Sequence, residues 1–101
     1  MAFVKVAKLA DVPEGTGITV NVDGTDVAVF NVSGKFYAID NTCLHRGGPL
    51  GEGILDGEIV TCPWHAWTYD VITGQGVSHP NIKVATYKVK VEGDDVLVSL
   101  E

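Results

Sequence analysis

Apolar and polar residues alternate along most of the chain, and Val, Ile and Thr are frequent in the alternating stretches. A period of two with β-branched enrichment reads as β-strand and not as helix. The pattern predicts strands over 3–7, 17–22, 25–32, 35–40, 58–61, 67–70, 83–91 and 96–100. Turn signals fall between them: Asp23-Gly24, Ser33-Gly34, Asp56-Gly57, Thr73-Gly74 and Gly93-Asp94-Asp95. Residues 9–12, just before Pro13, suit one short helical turn. The expectation is an all-β chain of short antiparallel strands, with a β-sandwich or barrel-like base.

Composition narrows this without changing it. A chain of 101 residues, 46% of them hydrophobic, is expected to form one domain over 1–101 with a modest core. No apolar run approaches the roughly 18 residues of a membrane span. The start, Met1-Ala2-Phe3-Val4-Lys5-Val6, has no basic stretch followed by an apolar signal region and reads as a first strand. A cytoplasmic location, no membrane partner and a monomer are expected. The net charge of −6, with only 7 Lys and Arg, argues against nucleic-acid binding, which needs a basic patch. The acidity serves solubility, or it steers the protein to a basic docking surface.

Chemistry concentrates in two loops. Cys43-Leu44-His45 and Cys62-Pro63-Trp64-His65 hold the only two cysteines and two of the three histidines. A thiolate and an imidazole from each of two loops is the donor set of a Rieske [2Fe–2S] cluster, with two Cys on one iron and two His on the other. Soft thiolates suit an iron–sulfur core and imidazole suits iron. Structural zinc and a Cys43–Cys62 disulfide are the rival readings. Zinc fingers usually place two Cys before two His, whereas here they alternate. A disulfide would close a loop of about 20 residues and leave the paired histidines unexplained.

The surrounding residues carry a resemblance. Cys43-Leu44-His45-Arg46-Gly47-Gly48-Pro49-Leu50-Gly51 resembles the first cluster loop of Rieske proteins. Cys62-Pro63-Trp64-His65-Ala66-Trp67-Thr68-Tyr69-Asp70 with Thr73-Gly74 resembles the second loop and the turn after it. The likeness extends over almost the whole chain and identifies it as similar to soluble Rieske-type ferredoxins. It implies a Rieske-type antiparallel β-sandwich base with a small cluster-binding subdomain at about 41–70. One [2Fe–2S] cluster per chain is implied, held by Cys43, His45, Cys62 and His65. Gly47 and Gly48, lacking Cβ, would let backbone N–H groups approach cluster sulfurs, and Pro49 and Pro63 would stiffen the loops.

The implied function is one-electron transfer. A flavin reductase would donate and a Rieske-type oxygenase would accept. A small redox subunit similar to that of assimilatory nitrite reductases is an alternative, and a zinc-binding interaction module is a third. Oxygenases of this kind add a mononuclear iron site of two His and a carboxylate. Only His79 remains after the cluster is served, so a carrier and not an enzyme is expected.

Several neighbours have two readings. His79-Pro80 lies in a loop that in the family helps cover the cluster, or His79 is an exposed loop residue. Arg46 is a docking or tuning charge, or an ordinary loop side chain. Of Trp64 and Trp67, at least one is expected to shield the cluster and the other to pack in the core. The loop disulfide of respiratory Rieske proteins is not expected here, since its two positions are Gly48 and Trp64. Of two hydroxyls that raise the potential in high-potential members, the serine position is Trp67 and the tyrosine position is Tyr69. A potential in the lower part of the Rieske range follows.

Overall fold

The computed structural model describes residues 3–43, 47–64 and 66–100. Among them are nine strands, no α-helix and two short 3₁₀ turns, at Leu9–Asp11 and Leu50–Glu52. The strands are β1 Val4–Lys8, β2 Gly17–Val22, β3 Thr25–Val32, β4 Lys35–Asp40, β5 Ile54–Asp56, β6 Ile59–Thr61, β7 Thr68–Asp70, β8 Thr86–Glu92 and β9 Asp95–Ser99. A six-stranded sheet has the order β1-β9-β8-β4-β3-β2, and a three-stranded sheet has the order β5-β6-β7. Every pairing is antiparallel. β1 and β2, the two ends of the larger sheet, also touch, so that sheet curls towards closure.

Tight hairpins set the register. Asp23 and Gly24 both adopt positive φ (50° and 87°), as do Ser33 and Gly34 (53° and 93°). Two consecutive left-handed residues make the hairpin turn whose twist matches that of paired strands. The β2–β3 and β3–β4 ladders then run unbroken from those turns.

β3 divides the interior. Its run Val27-Ala28-Val29-Phe30 is buried on both faces, which is why it reads as continuously apolar and not alternating. Val27 and Val29 join Val22, Ala38, Val96 and Val98 in one core inside the curled sheet. Ala28 and Phe30 point the other way, into a second core with Ile39, Leu50, Val60, Tyr69, Val71, Val84 and both cysteines. The base and the two cysteine-bearing loops therefore share β3 and β4 as a common wall.

The predicted strands at 17–22, 25–32 and 35–40 match β2, β3 and β4 to the residue. The prediction of 83–91 starts too early: β8 begins at Thr86, because 83–85 are occupied in irregular contacts, with Gln75 bridging Lys83 and Val84 N donating to Gly74 O. β1 is displaced by one residue and has a register break between Lys5 and Ala7. β5 was not predicted. Its three residues are too few to show a period, and Gly53 before it looks like a loop residue. That glycine is pressed so closely on β6 that a Cβ would stand 2.2 Å from Thr61 O.

Phe30 has no exposed surface and stands at the base of the second core. Phe30→Ala is expected to cost about 3–5 kcal/mol by leaving a cavity. Urea unfolding followed by far-UV circular dichroism should show the midpoint falling accordingly.

Candidate metal centre

Cys43 lies just past β4 and Cys62 just past β6, so each follows the end of an interior strand of a different sheet. Both are buried, 1% and 2% exposed, and both are thiols with no disulfide between them. The disulfide alternative therefore has no counterpart here. Burial in the apolar core pushes the Cys62 thiol up, and the Cys43 thiol beside it pushes the same way, against a lowering by the Trp64 backbone N–H. That burial favours the neutral thiol of Cys62 over its thiolate until a cation takes the charge.

Each sulfur has a polar neighbour. Tyr69 Oη is 3.4 Å from Cys43 Sγ, and Tyr69 is itself fully buried. Once Cys43 is a thiolate, the phenol must be the donor. Trp64 N donates to Cys62 Sγ at 3.4 Å. That backbone donor carries no side-chain signature, whereas the glycines of the first loop are visible in the sequence. Gly47 N in fact donates to Cys43 O at 2.8 Å. Gly48 serves by its missing side chain: a Cβ there would lie 2.8 Å from Cys62 Sγ and 3.0 Å from Trp64 Cγ.

The first loop closes on itself. Cys43 N donates to Gly48 O at 3.0 Å, and Thr42 bridges Pro49. The second loop leans on a strap at 76–82. Val77 N donates to Thr68 O, Thr68 N donates to Ser78 Oγ, and Gly76 N donates to Ile82 O. The rings of Trp67 and His79 stack with centroids 3.8 Å apart at 23°. His79 is thus half-buried against the second loop and is not a freely exposed loop residue. Trp67 packs on the second core, while Trp64 stands against Gly48 with about half its surface (49%) exposed.

His45, Arg46 and His65 lie outside the described residues. What is described fits the implied group: two soft donors side by side, a hydrogen-bond donor near each sulfur, and a glycine where a side chain would intrude.

Known proteins similar to this chain belong to one family. The family described as the Rieske [2Fe-2S] domain matches residues 2–94. The chain is 37% identical over 100 residues to the ferredoxin component of the naphthalene 1,2-dioxygenase/salicylate 5-hydroxylase systems of a Ralstonia species, covering 98% of this chain and 96% of that protein. It is similar to the ferredoxin of carbazole 1,9a-dioxygenase from Nocardioides aromaticivorans IC177, with a TM-score of 0.91, 32% identity and full coverage (100%) of both chains. It also matches a chain in the complex of reduced oxygenase and oxidized ferredoxin in carbazole 1,9a-dioxygenase, at TM-score 0.88 and 34% identity, covering 96% of this chain and 92% of that one.

Tyr69→Phe removes one hydroxyl donor from Cys43. A donor to the sulfur favours the more negative, reduced centre, so its loss should lower the reduction potential. At about 1 kcal/mol for the bond, the drop is about 40 mV for a one-electron couple. Protein-film voltammetry of the two proteins checks this; equal potentials would place Tyr69 outside the tuning of the centre.

Proposed function

The chain belongs to the Rieske [2Fe-2S] family, and on that premise we propose that it carries single electrons from a flavin reductase to the terminal oxygenase of a multicomponent oxygenase system. It is an electron carrier with one [2Fe–2S] cluster and not itself a catalyst. The observation that carries the reading is the pair of adjoining buried cysteine sulfurs, each with a hydrogen-bond donor, in a chain of this family.

In this reading Cys43 and Cys62 would hold one iron of the cluster, and His45 and His65 the other. Held there, the group would supply one-electron redox chemistry. Tyr69 and the Trp64 backbone N–H stabilise the sulfur charge that grows on reduction. Trp67, the His79 strap and Leu50 keep water from the sulfur side. The chain acts as a single Rieske domain over 1–101, with the cluster-binding subdomain at about 41–70, in the cytoplasm. No helix among the described residues is long and apolar enough to cross a membrane.

Charge supports a protein partner with a basic face. From Gly47 to Ile82 the chain carries Glu52, Asp56, Glu58 and Asp70 and no Lys or Arg. The net charge of −6 would speed encounter with a cationic docking surface, an effect that salt screens.

Cys43→Ser, Cys62→Ser, His45→Ala and His65→Ala should each lower iron and sulfide per chain at least about tenfold, since none of the replacements is an adequate ligand. Native EPR with near-stoichiometric iron in His65→Ala would sink the ligand assignment. Iron removal should also separate the two parts of the fold, because metal binding and local folding are coupled. Amides of 41–70 are expected to exchange rapidly in the apoprotein while β2, β3 and β4 stay protected. Protected loops in apoprotein would contradict the subdomain reading.

A further inference from the structure

Asn41 is one of the few buried polar side chains, 6% exposed, and it stands two residues before Cys43. Its Oδ1 accepts two hydrogen bonds, from Gly51 N at 2.7 Å and from Thr19 Oγ1 at 3.1 Å. Its backbone holds two more partners: Leu50 N donates to Asn41 O at 2.7 Å, and Asn41 N donates to Asp26 O at 3.2 Å. One residue thus grips the entry of the first loop, its exit at 50–51, and the β2–β3 hairpin beneath.

The contact at the exit is unusually close. A Cβ on Gly51 would meet Thr19 Oγ1 at 2.5 Å and Ile18 O at 2.7 Å, so the loop backbone lies directly on β2. Leu50, fully buried, packs in the core that contains both cysteines. Fixing 50–51 fixes the short stretch before it, including Gly48, whose Cα side faces Cys62 Sγ. The bond from Cys43 N to Gly48 O passes the same constraint to the first cysteine.

We propose that Asn41 is a positioning residue for the cluster, its amide oxygen locking the exit of the first loop to β2 so that Gly48 stays seated on Cys62 and water stays off the sulfurs. This rests on the cluster reading above. The residue acts through the loop and does not touch the metal. The buried acceptor matters more than the amide group, because what the site needs is one oxygen for two donors. An aspartate could supply that oxygen, but with a buried negative charge close to a centre that becomes more negative on reduction.

The test uses the holoprotein and its Asn41→Ala and Asn41→Asp variants, with cluster loss followed by visible absorbance, potential by voltammetry, and global stability by circular dichroism. Asn41→Ala leaves Gly51 N–H and the Thr19 hydroxyl without their acceptor. It should bleach about tenfold faster, since one buried bond of this kind is worth roughly tenfold in the equilibrium that opens the loop. It should also show a higher potential, since water admitted to the sulfurs stabilises the more negative reduced centre. Asn41→Asp should restore persistence towards wild type while showing a potential lower than wild type. Should Asn41→Ala keep the wild-type bleaching rate and potential, the proposal fails. It fails equally if bleaching merely tracks a loss of global stability at unchanged potential, or if Asn41→Asp is as labile as the alanine variant. Failure of the underlying cluster reading would look different: the wild-type protein itself would lack the Rieske EPR signature.

Discussion

Cys43 and Cys62 leave different sheets, and their sulfurs have to meet in one dry pocket without the regular ladder of a sheet to hold either loop. Sulfur in an apolar core is stable as a thiol and costly as a thiolate, so the pocket is of use only if a cation and a few aimed donors replace the lost water. The rest of the cluster end follows from that requirement. The apolar wall comes from Ala28, Phe30 and Ile39, the faces of β3 and β4 turned away from the curled sheet. The donors come from Tyr69 on β7 and from the backbone of Trp64. Space for the sulfur comes from Gly48.

The two loops meet the same demand by different means. The first is fastened through backbone and amide bonds to β2, with Leu50 as its apolar plug. The second packs Cys62 and Trp67 on the same core and is held from outside by the strap at 76–82, joined by backbone bonds and by the Trp67–His79 stack. Placing irregular backbone on two rigid walls is a common way to keep a site both precise and near the surface. It also explains why Gly53, Gly74 and Gly76 sit where neighbouring backbone oxygen atoms come within 2.2–2.5 Å of a hypothetical Cβ.

Much of this was legible in the sequence, and the exceptions have physical causes. The hairpins around Asp23-Gly24 and Ser33-Gly34 announce themselves because few residue pairs tolerate two left-handed conformations in succession. The cysteine and histidine pairs stand out because the chain holds so few of either residue. Tyr69 was identified from the family's second loop, and its hydroxyl does reach Cys43. What could not be read were the features without a side-chain signature: the Trp64 N–H on Cys62, the strand at Ile54–Asp56, and the seat of Gly51 on β2. Asn41 was passed over because an asparagine before a loop looks like an ordinary turn residue; only its burial and its two donors set it apart.

Trp67 shows how one substitution can shift the balance at such a centre. The resemblance of the second loop implies a serine hydroxyl at this position in high-potential members, whereas here an indole lies against the His79 ring. The exchange gives up a small donor and gains apolar cover over the second loop. Both changes disfavour the state with more negative charge, since donors stabilise it and a lower local dielectric does not. Tyr69, fully buried and close to Cys43, pulls the other way. A cluster bound here would sit in a drier site with one side-chain hydroxyl donor among the described residues, which would favour giving the electron up over holding it. That bias suits a carrier, whose task at each encounter is to release what it has just received.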